Sequence, residues 1–434
     1  MLTPIDPAAG GAPDWLVARR RAAADQAATA EPPSTDEEVW RYSRIGELDL
    51  DAFTPVDSDA APDEAATVAG RTVLDRVRAA VGTVAGVVLV VDGRVATCEL
   101  DPAVAAQGVV LGPLAAVDDD AVRLGLVAEP SDLFDLLSEA QTIEPVALVV
   151  PRGVAVEAPV VVVDHIAADG AAVFGRLLVV AGAASQVTIV EWQSSADVAA
   201  LCTPVAEVAV GAGANVRHVV VQERGERVWQ LGHLASRVER DGSYHSVQLA
   251  LGGSYARSRA DCRLAERGAS ARLDAASLGH RDQMLDFRTF QRHEAPDTTS
   301  NLLFTGALAG AARSVYTGLI RVEAAARGTN AFQTNRNLKL SDDAWAESVP
   351  NLEIENNDVR CSHASTVAPV DPDQRFYLES RGVPPAEAER LLAMGFFGEV
   401  LDAVPVPAVA ALVREEIAAR IVAAVRPDTA GGAS

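Results

Sequence analysis

The chain has 434 residues, 49% apolar and 22% charged, a composition that excludes disorder as its overall state. Its length allows about three domains of ~150 residues each, or one long repetitive fold. With 37 Lys and Arg against 60 Asp and Glu, the net charge is −23, which argues against a nucleic-acid binder or an anionic membrane surface as partner.

Residues 1–30 lack an apolar core and carry Arg19, Arg20 and Arg21, so they do not read as a secretory signal. No apolar run approaches the ~18 residues of a membrane helix. The four cysteines (Cys98, Cys202, Cys262 and Cys361) are far apart and form no Cys-x-x-Cys, which points to a reducing compartment.

In chain order, a helix rich in Ala and Arg begins at Trp15, Leu16 and Val17. A second helix surrounds Val73 to Val81. Val87 to Val91, Asp92-Gly93 and Val95 to Cys98 read as a hairpin, because Asp-Gly between β-rich runs is a strong turn signal. Ser131 to Ala140 reads as a short helix.

From about Val146 the texture changes. Short Val, Ile and Leu runs alternate with small-residue turns that end in Ser or Asn, at Ser185, Asn215, Ser243, Ser270, Ser300 and Asn330. The intervals are 30, 28, 27, 30 and 30 residues. Strands and tight turns at a period near 30 predict a solenoid whose coils bury each other's apolar faces, in preference to an all-β sandwich. Such coils stack on each other, which predicts a β-helix that stands without the residues after Asp371.

Helical texture returns after Pro372. Pro384-Pro385 starts one helix, and Gly395 stops it. Another runs from about Pro407 to Val425, with Val409, Val413, Ile417 and Ile421 at i+4 spacing and Leu412 beside them. This stripe either packs on the preceding helix or forms a docking surface. The chain thus divides into an N-terminal helical and mixed region (1–143), a β-helix (144–370) and a C-terminal helical region (371–434).

Few residues suggest chemistry. If Cys361-Ser362-His363 is extended, Cys361 and His363 share one face, and thiolate and imidazole both suit iron or zinc. Two ligands do not complete a site, so others must come from elsewhere, for example another subunit. Alone, a Cys-x-His pair is weak support for a metal. His280, Arg281, Asp282, Asp286 and His293 offer a rival catalytic cluster. That cluster would suit a β-helical carbohydrate-active enzyme, a lyase or hydrolase, although such enzymes are usually secreted. Cys98, Cys202 and Cys262 read as packing residues.

Taken together, several segments resemble the SufB/SufD family of iron–sulfur cluster assembly proteins, and its SufD branch most. They are Gly279-His280-Arg281-Asp282, Phe304-Thr305-Gly306, Ala312 to Gly318, Gln333 to Leu338, Pro350 to Ile354, Val359 to His363 and Phe376 to Gly382, with Trp40-Arg41-Tyr42-Ser43 near the start. Cys361-Ser362-His363 has the SufD form, and Leu378 stands where scaffold SufB proteins carry a cysteine. The resemblance implies a right-handed parallel β-helix between helical ends. It further implies a non-catalytic, cytoplasmic subunit that pairs with SufB through the β-helix and docks the ATPase SufC through its C-terminal helices. His363, with Cys361 second, would then be the cluster-assembly and interface residue, and His363 a transient iron or cluster ligand. Docking would use Arg381, Leu391, Leu392 and Phe396, together with Val409, Leu412, Val413, Ile417 and Ile421. No cofactor is expected to bind the isolated chain stably; the complex would carry a transient iron–sulfur cluster. Reduced flavin in the complex and a homodimer of the isolated chain are left open.

The single lysine, Lys339, lies between Leu338 and Leu340, outside any glycine-rich phosphate loop. The isolated chain is therefore expected to hydrolyse no ATP. Saturable, metal-dependent turnover by the purified chain, abolished by a substitution within it, would overturn this.

Overall fold

The structure, a computed structural model, describes residues 2–58, 60–117 and 122–425. It is mainly β: a solenoid of about 8 turns with helices at both ends. The α-helices before or within the first coils are α1 (Asp14–Ala27), α2 (Glu64–Val81), α3 (Pro102–Ala105) and α4 (Leu133–Gln141). Those after the last coil are α5 (Pro372–Ser380), α6 (Pro385–Phe396), α7 (Gly398–Ala403) and α8 (Pro407–Val425).

The chain alternates between two facing sheets of parallel strands. One sheet steps from Val146–Val150 through Arg176–Ala181 and onward to Trp345–Ile354. The other steps from Val160–Ile166 through Gln186–Ser195 and onward to Val359–Pro369. The Asp92-Gly93 hairpin forms as its sequence predicts, and its first strand, Gly86–Val91, pairs in parallel with Val160–Ile166. The first 143 residues thus contribute strands to the same sheets. Side chains of alternating parity meet between the sheets, among them Val88, Val162, Ile189, Val216, Leu273 and Phe304.

The repeat has a backbone cause. Gln186, Asn215, Ser243, Ser270, Thr299 and Asn330 stand in one hydrogen-bonded column. Two residues before each, the chain takes a positive φ, at Ala184, Gly213, Asp241, Gly268, Asp297 and Gly328. Only glycine adopts this conformation without cost, which explains the glycine-rich turns. The N–H of each such residue donates to a carbonyl of the next coil, at Ala212, Arg240, Arg267, Pro296, Arg327 and Asp358, over 2.7–3.2 Å. Two of the predicted markers, Ser185 and Ser300, sit one residue off this column. A one-residue slip reverses the face, so Ser300 points inward and is bonded by Gln291 and His293.

The two ends of the barrel differ. At the first end the edge strands are antiparallel, Arg94–Leu100 on one sheet and Val110–Pro113 on the other. Val95, Leu100, Val104 and Leu111 pack there against the interior. At the other end, Trp345–Ile354 and Val359–Pro369 have no strand on their outer side among the described residues.

The C-terminal helices do not extend past that end. They fold back over the outer face of the second sheet. Val409, Val413, Ile417 and Ile421 are 0–1% exposed and share a cluster with Leu74 and Val77 of α2 and with Val190, Trp192, Val221 and Leu249 of the sheet. Arg420 donates to the carbonyl of Leu251. This bears on the docking expectation for the α8 stripe. The stripe packs inside the chain, leaving these four residues no surface for docking. The tail also covers an apolar face of the solenoid, which loss of the residues after Asp371 would bare.

On the opposite flank, α4 is held by Asp135, whose carboxylate accepts from His233 at 3.0 Å, while the other ring nitrogen meets Asp261 at 3.2 Å. Burial alone would lower the His233 pKa, but Asp135 and Asp261 outweigh it and raise it to about 9.

Ile417→Ala is expected to destabilise the full chain by about 2–5 kcal/mol in urea unfolding, the cost of a cavity in a buried cluster. A loss below about 1 kcal/mol would contradict this packing. His233 has a folded pKa above its unfolded value of about 6.5, so its stabilisation is complete below that pH and fades as pH rises through about 9. The unfolding midpoint should therefore fall across that window, and His233→Gln should flatten the fall. An unchanged slope in the variant would exclude His233 as the cause.

Candidate functional site at the open end of the solenoid

Val359–Pro369 is a regular strand in register with Thr329–Lys339, which pairs Cys361 with Ala331 and His363 with Gln333. Val359 and Cys361 pack against the inward residues Ile320, Val322, Ala326 and Ala331, so the parity of 359, 361 and 363 is the inward one. His363 ends a column that runs Val160, Ile189, His218, Ser246, Leu273, Leu302, Gln333. All its predecessors are buried. His363 is exposed because no further coil lies over it among the described residues. Cys361 ends the neighbouring column and is half-buried. Burial pushes its thiol pKa up, a bond from the Ala331 backbone opposes this, and the thiolate is correspondingly scarce.

The two residues singled out in the sequence therefore do share a face at one end of the fold. Among the described residues, no group of three or more His, Cys, Asp or Glu side chains is placed to hold a metal. Arg360, Ser362, Ser365 and Thr366 beside them are exposed, and several large apolar side chains are exposed on the last coil and the helix that follows it. Ile354, Val367, Phe376 and Tyr377 are exposed, Phe376 to 71%. α5 leaves this edge under an Asp371 cap, whose carboxylate accepts from the backbone of Asp373 at 2.9 Å and Gln374 at 3.3 Å.

The docking residues separate by burial. Arg381 and Leu391 are exposed, Leu392, Phe396 and Leu412 are half-buried, and Val409, Val413, Ile417 and Ile421 lie in the core. Arg381 lies 5.1 Å from the ring centroid of Tyr377.

The rival cluster does not assemble. His280 meets Glu226 at 2.9 Å on a turn, while His293 lies inside the solenoid against Thr298 and Ser300, where burial lowers its pKa to about 4. Asp286 is occupied by Tyr255 at 2.7 Å, Arg257 at 3.0 Å and Arg288 at 2.8 Å. Cys202 and Cys262 are buried as expected, with thiols pushed up to about 12 and about 11, whereas Cys98 is exposed on the hairpin.

Sequence reasoning gave no role to the Trp40 segment. Trp40 is buried with the Arg257 guanidinium 3.7 Å from its ring centroid. Arg257 and Arg288 donate to the carbonyls of Val39 and Arg41, both at 2.8 Å. The segment is a clamp that ties the N-terminal region to the first sheet. Tyr42, in the left-handed region at φ 65°, meets Trp345 of the last coil at 6.0 Å. The Trp-Arg-Tyr run gave no sign of this hold, because it depends on arginines of two adjacent coils far along the chain.

The described residues thus form a β-solenoid with antiparallel edge strands at one end and an exposed histidine at the other. Residues 165–396 match the SufBD core domain of the SUF system for FeS cluster assembly. An iron–sulfur cluster assembly SufBD family protein of Mycobacterium tuberculosis is 37% identical over 223 residues, 50% of this chain and 55% of the relative. The match thus spans about half of that relative's length. A SufBD family protein of Mycobacterium leprae is 31% identical over 308 residues, 69% of this chain and 76% of the relative. The iron–sulfur cluster assembly protein SufD of Escherichia coli is 26% identical over 378 residues, 86% and 85% of the two chains. The chain belongs to the SufB/SufD family and is most like SufD.

Proposed function

We propose that this chain is a non-catalytic, SufD-like subunit of a SUF iron–sulfur cluster assembly complex. The observation that carries the reading is the open last coil, with His363 at the head of an inward column and two long strands unpaired on their outer side. Unpaired strands of ten and eleven residues are templates for another chain. A SufB with a matching end would close the barrel and supply the ligands that His363 lacks. Neutral imidazole suits iron, and the cluster is the cargo, made across the junction and released. Cys361 is the weaker candidate, because its burial disfavours the thiolate.

ATP hydrolysis belongs to the partner SufC in this reading. Its dock uses the exposed residues of the C-terminal helices, Arg381 and Leu391 with Phe376 and Tyr377, and not the buried α8 stripe. The complex works in the cytoplasm; no described helix is long and apolar enough to cross a membrane. The carbohydrate-enzyme alternative loses its basis, because its residues are scattered and already paired.

His363→Ala tests the proposal. The side chain is exposed, so the melting temperature and the yield of complex with SufB and SufC should stay as in wild type, while cluster formation in reconstitution falls at least about tenfold. Cys361→Ala should cost less. Wild-type cluster formation by the His363→Ala complex would remove the site from the account.

A further inference from the structure

Gln333 is the residue directly beneath His363 in the same inward column. It is 1% exposed, yet neither its Oε1 nor its Nε2 has a hydrogen-bond partner among the described residues. An unpaired buried amide costs about 1–3 kcal/mol, and the positions one and two coils earlier, Leu302 and Leu273, show that an aliphatic side chain fits this column. The fold also makes room for the amide. On the facing strand Gly318 lies opposite, and a Cβ there would strike the Gln333 amide and the Tyr316 hydroxyl. The next residue in the Gly318 ladder is Pro350, which has no N–H to offer. Ser348, two residues earlier on that last strand, also holds a buried hydroxyl without a partner. Unpaired polar atoms thus collect just inside the mouth that His363 covers.

Parallel neighbours in one column stand about 4.8 Å apart, within reach of a glutamine amide and an imidazole. A metal-bound histidine almost always donates its second ring N–H to a carbonyl or carboxylate, which fixes the tautomer and the ring plane. His363 has no such acceptor on its own strand: both inward neighbours, Cys361 and Ser365, are poor or short. We propose that Gln333 is the positioning residue for His363, its Oε1 accepting the N–H of the ring nitrogen that does not hold the cluster. This rests on the reading of His363 as a cluster ligand. It assigns the buried amide a partner that forms when the imidazole turns inward. The Nε2–H of the same amide remains free for a bound sulfur, a contact of the kind that tunes iron–sulfur clusters.

Gln333→Met tests this, being unbranched, close in volume and without an acceptor. The full chain, labelled with 15N-histidine and assigned by comparison with His363→Ala, reports the tautomer of His363 by NMR. Wild type should show one dominant tautomer, and Gln333→Met a mixture. The variant should fold and melt close to wild type, since Leu302 and Leu273 show that the column takes an aliphatic side chain, while cluster formation in the reconstituted complex falls about 10–100-fold. Gln333→Glu keeps an acceptor at the same reach and should retain the tautomer and most of the assembly. If His363→Ala loses assembly while Gln333→Met keeps the wild-type tautomer and rate, the inference is wrong and the reading of His363 survives. If His363→Ala assembles clusters normally, the reading itself fails. A Gln333→Met chain that melts lower, with Gln333→Glu equally impaired in assembly, would make Gln333 a structural residue and overturn the proposal.

Discussion

The bond that recurs at every coil runs from a left-handed turn residue to a carbonyl one coil on. Ala184, Gly213, Asp241, Gly268, Asp297 and Gly328 each make it, and each fixes where the following strand begins. With the start fixed, the register is fixed, and with the register, the face of every side chain. Non-glycine residues at three of the six positions bear a conformational cost of order 1 kcal/mol each. The coil-to-coil bond and the burial of two sheet faces offset it. The small polar residues that mark the repeat in the sequence follow from this bond. They lie beside it and do not cause it.

In such a ladder a residue takes its environment from the coils below and above. Leu302 is buried because Leu273 and Gln333 flank it. His363 has a neighbour on one side only, so an inward position becomes an accessible one without a cleft or loop to build it. The same break leaves a row of backbone donors and acceptors open along both last strands. Exposed edges of this length invite pairing, and proteins usually blunt them with charge, proline or a covering helix. Here Pro350 and Pro369 interrupt the rows, and exposed Ile354 and Val367 lie beside them.

Local signals in the sequence carried most of the fold. The Asp92-Gly93 hairpin, the helix from Pro407 to Val425 and the coil period all depend on nearby residues, through turn chemistry, proline at a first turn and stacking. The shared face of Cys361 and His363 followed from strand alternation alone. The path of α8 was not legible. A stripe of Val409, Val413, Ile417 and Ile421 says that one face will be buried but not what buries it. Its partners, Trp192 and Leu249, lie far away in sequence. The Trp40 clamp was hidden for the same reason, since its hold depends on Arg257 and Arg288. Gln333 gave no signal either, because an unpaired amide is visible only once every neighbour is placed.

The tail starts at the open coil, and its described helices lead away from it. α5 leaves the last strand with Phe376 and Tyr377 in solvent, and the chain then turns back until α8 covers Trp192, Val221 and Leu251 in the middle of the solenoid. The middle is thus buttressed on its outer face, while among the described residues the last coil has no strand over it and meets the N-terminal clamp at Tyr42 and Trp345. Repeat arrays need polar capping units at their ends, and the first end has one in Val95, Leu100, Val104 and Leu111 under antiparallel strands. The last coil is therefore the part of the solenoid with the least local stabilisation. Among the described residues the helices cover the flank of the solenoid and no strand covers its last coil, and the histidine lies within that end.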